Sequence, residues 1–282
     1  MFTSKTLSIA TFTALALGSF LAPASGVLAD SPTKPTLYII GDSTVHNPSA
    51  DLKGWGDVIG ADFDSNKINV ENDALGGRSS RTFLTEGHWD PIKAKLKSGD
   101  FVLMQFGHND GGAVSGDKAT GRATLKGIGD ETQDATDKAG QPITVHTYGW
   151  YMKRYAEDAK AKGGMPILVS PIPRNMPSAD GKYGRTTDSS YGGWASAVAK
   201  AEGVPFIDLN NQVAAKYDAL GFDKVKAAYF PGDHTHTSPA GALLNATSVV
   251  ECLKALPTDP LAPYLLPTIP TAADAATPPA SQ

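Results

Sequence analysis

Short runs of apolar residues, each ending in a glycine or a polar residue, recur along the chain from residue 35 onward. Five of these runs contain β-branched residues and have the length of a strand that is buried on both faces. They are PTLYIIGDST, KINVENDALGG, DFVLMQFGHND, GMPILVSPIPRN and GVPFIDLN. The pattern therefore predicts five buried strands.

Between these runs, apolar residues recur at helical spacing. The clearest helix is predicted in residues 146–164, where one face carries Tyr148, Tyr151, Met152, Tyr155 and Ala159. The stretches DPIKAKLKSGD, SSYGGWASAVAKAEGV and SPAGALLNATSVVECLKAL predict further helices. Strands that alternate with helices indicate a parallel sheet covered on both faces, in a single α/β domain.

The first 29 residues have the composition of a secretory signal peptide. One lysine precedes an apolar run, and small residues lead to candidate cleavage sites after Ala24 and Ala29. A membrane anchor is the alternative, but the apolar run of about 16 residues is interrupted by Thr, Ser and Gly and is short for a membrane span. We therefore expect export with cleavage, to a secreted or periplasmic location.

Two other segments differ from the alternating pattern. Residues 111–145 are polar, glycine-rich and without periodicity, which predicts a functional insertion or lid in the domain. Residues 266–282 are rich in Pro, Ala and Thr, which predicts a disordered tail or a surface wrap. The expected organisation is thus a signal peptide in residues 1–29, one domain in residues 30–265 and a tail.

Composition limits the classes of partner. The 282 residues are 41% hydrophobic and 19% charged, as in soluble globular proteins. The net charge of −4 gives no reason to expect nucleic acid or an anionic membrane as partner, and we expect a monomer acting on a neutral or sugar-like substrate. Cys252 is the only cysteine, which excludes an intramolecular disulfide and cysteine-based structural metal sites.

Polar, glycine-containing clusters follow the first three predicted strands, in residues 41–43, 76–79 and 107–110. Active sites of open α/β sheets lie outside the carboxyl ends of the strands. We therefore expect these clusters to meet in space. A fourth cluster, DHTH in residues 233–236, follows the last predicted strand and is expected to join them.

Ser43 is a candidate nucleophile, because the preceding glycine lets the backbone turn and expose the serine at the sheet edge. In the alternative interpretation, GDST only caps a helix. Candidate donors to an oxyanion are the N–H groups of Ser43 and Gly77 and the side-chain amide of Asn109. His108 alternates with Asn109 along the strand end, so we expect it to point away from Asn109 and to pack beneath the site.

The fourth cluster allows two interpretations. His234 and His236 could hold a metal, or Asp233 and one histidine could serve a nucleophile. The other clusters supply a serine and hydrogen-bond donors, which favours the pair Asp233 and His236. Their spacing of three would place both side chains on one side of a helical turn, with His234 facing elsewhere.

The four clusters resemble the four blocks of the SGNH (GDSL-type) hydrolases. The matching stretches are GDST with Ser43, GGRSSRT with Gly77, GHND with Asn109, and DHTH with Asp233 and His236. Thr44 stands in place of the leucine of the literal motif. More closely, the chain resembles the rhamnogalacturonan acetylesterases of carbohydrate esterase family 12. The resemblance implies a three-layer α/β/α, flavodoxin-like fold with a five-stranded parallel sheet.

The resemblance also implies a reaction, the removal of acetyl groups from an acetylated plant-wall polysaccharide. In it, His236 takes the proton from Ser43, Asp233 orients His236, and the three donors hold the oxyanion. No cofactor and no metal are expected. Arg78, Arg81 and Arg174 are candidate contacts to a uronate backbone, and the alternative for each is a structural salt bridge.

Other functions remain as alternatives. Xylan or another ester could be the substrate on the same fold. A metal-dependent phosphoesterase would need ligands at most strand ends, whereas GGRS offers none and its arginine would repel a metal. A non-catalytic carbohydrate-binding module would not require a complete set of Ser, Asn, His and Asp.

Overall fold

The structure is a computed structural model that describes residues 1–2, 34–137 and 139–267. The expected signal peptide beyond its first two residues, and the expected tail beyond residue 267, lie outside the described residues. No helix in the described part of the chain is both long and apolar enough to cross a membrane.

The described residues form seven strands and seven α-helices. The strands are β1 (Thr36–Gly41), β2 (Asn69–Asn72), β3 (Phe101–Gln105), β4 (Thr132–Thr136), β5 (Pro142–His146), β6 (Met165–Val169) and β7 (Phe206–Ile207). The helices are α1 (Ser80–Thr85), α2 (Trp89–Lys95), α3 (Tyr148–Ala161), α4 (Tyr191–Glu202), α5 (Leu209–Leu220), α6 (Phe222–Tyr229) and α7 (Pro239–Lys254).

Five strands form one parallel sheet in the order β2-β1-β3-β6-β7, with every neighbouring pair parallel. These are the five strands that the apolar runs predict. Each residue of β1 and β3 is buried, as expected for central strands with helices on both sides. The predicted parallel sheet is therefore confirmed.

The two faces of the sheet hold two separate hydrophobic cores. Side chains alternate along a strand, so Leu37 and Ile39 of β1 face one core while Tyr38 and Ile40 face the other. The first core is closed by α5, α6 and α7, and the second by α1 to α4. This gives the three-layer α/β/α architecture that was expected.

The inserted segment is more ordered than its sequence indicates. The sequence of residues 111–145 shows no periodicity and predicts only an insertion or lid, but β4 and β5 form an antiparallel hairpin there. Val114, Ala123 and Val145 form a small core of their own beneath it. The hairpin escapes detection because β4 is almost entirely exposed and carries no apolar run.

Candidate active site

The turn after β1 presents Ser43 at the carboxyl edge of the sheet. A Cβ on Gly41 would lie 2.5 Å from Val45 Cγ2 and 2.6 Å from the Gln105 carbonyl oxygen, so only glycine fits there. The Asp42 carbonyl then accepts hydrogen bonds from the N–H groups of Val45 and His46, which closes the turn. Ser43 is left half-buried with its side chain available at the edge.

The loop before α7 brings Asp233 and His236 to this serine. His236 Nε2 lies 2.9 Å from Ser43 Oγ, and His236 Nδ1 lies 2.7 Å from Asp233 Oδ2. An Nδ1–H donated to Asp233 leaves Nε2 as the acceptor for the serine hydroxyl. The predicted serine, histidine and aspartate therefore form one continuous chain of hydrogen bonds. Ser43 and His236, which it joins, are 193 residues apart in sequence.

The backbone that holds Asp233 and His236 is not a helical turn, which corrects the spacing argument. Helix α7 begins only at Pro239, after the cap at Ser238, because proline is favoured at the first position of a helix. Asp233 Oδ1 instead accepts the N–H groups of Thr235 and His236, at 2.6 and 2.8 Å. The aspartate thus organises its own loop while it contacts the imidazole.

The charge of Asp233 is stabilised by the same contacts. Burial raises the pKa of its carboxyl, but hydrogen bonds from the His236 side chain and from the two N–H groups outweigh burial and lower the pKa to about 2. Asp233 is therefore ionised at neutral pH and is suited to stabilise an imidazolium beside it.

His234 points away from the serine, so the two histidines do not form a metal clamp. Its Nε2 lies 3.4 Å from Arg174 Nη1, and its side chain is exposed. Among the residues that the structure describes, no group of three or more His, Cys, Asp or Glu side chains is arranged to hold a metal ion.

The candidate oxyanion donors surround Ser43. Gly77 has a φ of +77°, a conformation that favours glycine, and a Cβ on Gly76 would lie 3.6 Å from Ser43 Cβ. Within the described residues, the N–H groups of Ser43 and Gly77 donate no hydrogen bond inside the protein. Asn109 Nδ2 donates to the Arg78 carbonyl at 3.0 Å, which leaves its second N–H for a ligand.

The three candidate arginines have different surroundings. Arg81 is only 5% exposed, and its Nε donates to the Ala123 carbonyl at 2.9 Å, so its expected contact with substrate is wrong. Arg78 Nε lies 2.7 Å from Glu86 Oε2, the salt bridge that was its alternative. Of these three arginines, Arg174 is the one whose side chain lines a surface cleft.

A cleft of about 400 Å³ opens next to the histidine loop: Arg174 on its wall lies 3.4 Å from His234, whereas Ser43, Asp233 and His236 do not line it. The loops after β3 and β6 form it, and its lining includes His108, Arg174, Arg185, Tyr191 and Asn210. Arg174 Nη2 donates to the His108 carbonyl at 2.9 Å, which fixes this arginine on the cleft wall. Sequence reasoning missed Arg185, Tyr191 and Asn210, whose only signal was their position after the carboxyl ends of β6 and β7.

Asp110, next to Asn109 in sequence, is fully buried and was also not predicted to have a role. Its carboxyl accepts hydrogen bonds from the N–H and hydroxyl of Ser80, at the start of α1. Burial raises its pKa to about 7, although the hydrogen bonds from Ser80 act in the opposite direction.

Comparison with known families gives one family match. Residues 39–244 match the model of the GDSL-like Lipase/Acylhydrolase family. The matched span contains Ser43 and the four candidate site residues described around it, which are Gly77, Asn109, Asp233 and His236.

Two curated proteins and one crystal structure are similar over most of the chain. Rhamnogalacturonan acetylesterase of Emericella nidulans is 35% identical over 226 residues, which is 80% of this chain and 87% of that protein. Rhamnogalacturonan acetylesterase RhgT of Bacillus subtilis is 29% identical over 78% of this chain and 90% of that protein.

The crystal structure of the Bacillus subtilis protein YxiM matches with a TM-score of 0.63 and 27% identity. The match covers 79% of this chain and 56% of that protein, so the chain spans little more than half the length of YxiM.

Proposed function

The chain belongs to the GDSL-like lipase/acylhydrolase family, and from that membership we propose that it removes O-acetyl groups from a plant cell-wall polysaccharide. Rhamnogalacturonan or a related pectin is the substrate we favour, because two similar proteins carry that activity in their names. The chain is accordingly a carboxylic ester hydrolase that acts as a carbohydrate acetylesterase.

The observation that carries the proposal is the hydrogen-bonded series from Ser43 Oγ through His236 to Asp233, at 2.9 and 2.7 Å. His236 accepts the serine proton while Oγ attacks the acetyl carbonyl, and the ionised Asp233 stabilises the resulting imidazolium. The imidazolium of His236 then gives its proton to the sugar oxygen as the bond between that oxygen and the acetyl carbon breaks, and the sugar leaves as the free hydroxyl. Water, activated by the same histidine, hydrolyses the acetyl-enzyme and releases acetate.

The oxyanion of each tetrahedral intermediate would be held by the N–H groups of Ser43 and Gly77 and by Asn109 Nδ2. Each donor of this kind is worth about 10²–10³ in kcat. Within the described residues, neither backbone N–H donates a hydrogen bond to the protein. No existing hydrogen bond therefore has to break before these groups can bind the oxyanion. No step requires a cofactor.

The cleft supports an acidic polymer as substrate. Arg174 is exposed on its wall and held by the His108 carbonyl, so its guanidinium can pair with the carboxylate of a uronate next to the acetylated sugar. Tyr191 offers an aromatic ring to a neighbouring sugar. The chain is expected to work as an exported monomer, cleaved after residue 24 or 29, which N-terminal sequencing of the secreted protein would test.

The direct test is acetate release from a panel of acetylated rhamnogalacturonan, homogalacturonan and xylan, with p-nitrophenyl acetate as the small ester. We expect the highest kcat/KM on rhamnogalacturonan and loss of all activities in Ser43→Ala. Faster release from xylan would overturn the pectin assignment. Activity that survives in Ser43→Ala, or that disappears on thorough chelation, would overturn the serine mechanism and favour a metal-dependent hydrolase.

A further inference from the structure

Beneath the candidate nucleophile, the side chains of Asp42 and His108 form a buried contact. Asp42 is 0% exposed, the side chain of His108 is 5% exposed, and His108 Nδ1 lies 3.3 Å from Asp42 Oδ2. The contact is not an aligned hydrogen bond, so its attraction is mainly electrostatic. Burial raises the pKa of Asp42, but the electrostatic influence of His108 and the hydrogen bonds from Thr44 outweigh burial and lower it.

The other atoms of both side chains are also engaged. His108 Nε2 lies 3.0 Å from the Ile172 carbonyl, which can only accept, so Nε2 carries a proton. Asp42 Oδ1 accepts the N–H and hydroxyl of Thr44, at 2.9 and 2.8 Å.

These contacts join the carboxyl ends of three strands. Asp42 follows β1, His108 follows β3, and Ile172 follows β6. Asp42 directly precedes Ser43, and His108 directly precedes Asn109. The contact therefore connects the residue before the nucleophile to the residue before the side-chain oxyanion donor.

We propose that His108 is a positioning residue, whose contact with Asp42 fixes the distance between the Ser43 turn and the Asn109 turn. The proposal rests on the proposed function of Ser43. A displacement of about 1 Å between nucleophile and oxyanion donor can cost about 10² in rate, whereas substrate affinity depends mainly on the cleft. Loss of the contact should therefore lower kcat and leave KM nearly unchanged.

Burial explains why nothing else can replace the contact. Both side chains are almost fully buried, so water and counter-ions are poor replacements for a lost partner, and removal of His108 leaves the buried Asp42 carboxylate uncompensated. Asp110 is also fully buried close to this contact, and its pKa responds to both Asp42 and His108.

The test is a double-mutant cycle with His108→Gln, Asp42→Asn and the double variant, measured on p-nitrophenyl acetate. We expect each single variant to lower kcat about 10- to 100-fold, with KM within about threefold of wild type. The double variant should be no slower than the slower single variant, because both substitutions break the same contact. Losses that multiply would overturn the proposal, as would an unchanged kcat in a folded His108→Gln protein.

Asp100→Asn is the matched control. Asp100 is 0% exposed and accepts the Thr36 N–H at 2.8 Å, so it joins the same two strands at their opposite end. We expect it to lower Tm without changing kcat. Equal kcat losses in Asp100→Asn and His108→Gln at matched stability would reduce His108 to a structural role.

Labelling of Ser43 by an alkyl fluorophosphonate separates this proposal from the proposed function. Wild-type protein that neither labels nor hydrolyses esters would overturn both. Wild-type protein that labels, together with His108→Gln protein that labels at the same rate, would overturn the positioning role alone.

Discussion

The two histidines of the DHTH cluster have the same chemistry but different neighbours. The His236 side chain contacts Ser43 and Asp233, whereas the His234 side chain lies beside Arg174 and its carbonyl accepts the Asn175 N–H. We expect His236→Ala to lower kcat/KM on p-nitrophenyl acetate by at least about 10⁴-fold, because the serine loses its base. His234→Ala should change it by less than about tenfold. A larger loss in His234→Ala would contradict the assignment of His236 as the base.

A pH-dependent stability is expected from Asp110. Its carboxyl titrates near pH 4 in the unfolded chain and at about 7 in the folded protein. Between these pH values the folded state keeps a proton that the unfolded state releases, so the free energy of unfolding falls as pH rises from about 4 to about 7. With about 1.4 kcal/mol per pKa unit, the decrease amounts to roughly a few kcal/mol.

Asp110→Asn removes this titration, so its unfolding free energy should vary less between pH 4 and pH 7. Urea unfolding at several pH values measures the difference, with the exposed Asp117→Asn as control. Identical pH profiles for wild type and Asp110→Asn would show that burial does not raise this pKa.

At the residue scale, sequence predicted the serine, the donors and the Asp–His pair because each is a scarce residue type at a strand end. It failed for Arg81, since an arginine beside a site in sequence can bury its guanidinium on a carbonyl. The prediction that Asp233 and His236 lie on a helical turn was also wrong. A spacing of three residues is equally compatible with a loop in which the aspartate accepts the His236 N–H.

The insertion is an element whose order depends on one buried side chain. Arg81 donates to the Ala123 carbonyl from a position that is 5% exposed, and Thr124 donates its N–H to the Asp110 carbonyl at 2.9 Å. Arg81→Met leaves the Ala123 carbonyl buried without this partner, a cost of about 1–3 kcal/mol. We expect faster limited proteolysis within residues 111–146, with the cleavage sites identified by mass spectrometry.

Arg154→Gln is the control for this experiment, because Arg154 is exposed on α3 and its Nε lies 3.8 Å from Asp158 Oδ1, which is a weak contact. Equal cleavage rates for Arg81→Met and wild type would show that other contacts hold the insertion.

At the element scale, prediction succeeded where a strand follows an apolar run and failed where the strands are polar and exposed. Strands β1 and β3 are continuous apolar runs, whereas the hairpin of β4 and β5 is mostly exposed. Helix α5 was also missed, although its N-cap Asp208 and the buried Val213, Ala214 and Tyr217 have helical spacing. Asn210 and Asn211 at the start of this helix are residues typical of turns, so the sequence there favoured a turn over a helix.

At the scale of the whole molecule, alternating strands and helices predict the parallel sheet, but they do not predict the strand order. The order β2-β1-β3-β6-β7 places β1 between β2 and β3, so the Ser43 turn lies between the Gly77 and Asn109 turns. Local patterns do not encode which strands become neighbours across long connections. The resemblance to a known family implied the three-layer fold and the number of strands, and the structure adds their order.

The C-terminal segment packs at the amino end of the sheet, opposite the candidate active site. Leu261 is fully buried, the Tyr264 ring lies 5.7 Å from the ring of Phe101 at the start of β3, and the Leu266 N–H donates to the Asp62 carbonyl at 2.9 Å. Burial of one leucine alone is worth about 1.5–3 kcal/mol.

Two truncations can separate stability from catalysis, since this segment lies far from Ser43. A chain that ends at residue 258 should lose at least about 5 °C in Tm, yet keep its kcat on p-nitrophenyl acetate at temperatures where it remains folded. A chain that ends at residue 267 keeps every contact of the segment and should match the full chain in both measurements. A lower Tm for the chain that ends at residue 267 would show that the residues after it contribute to stability. A lower kcat in the folded chain that ends at residue 258 would show that the two ends of the sheet are coupled.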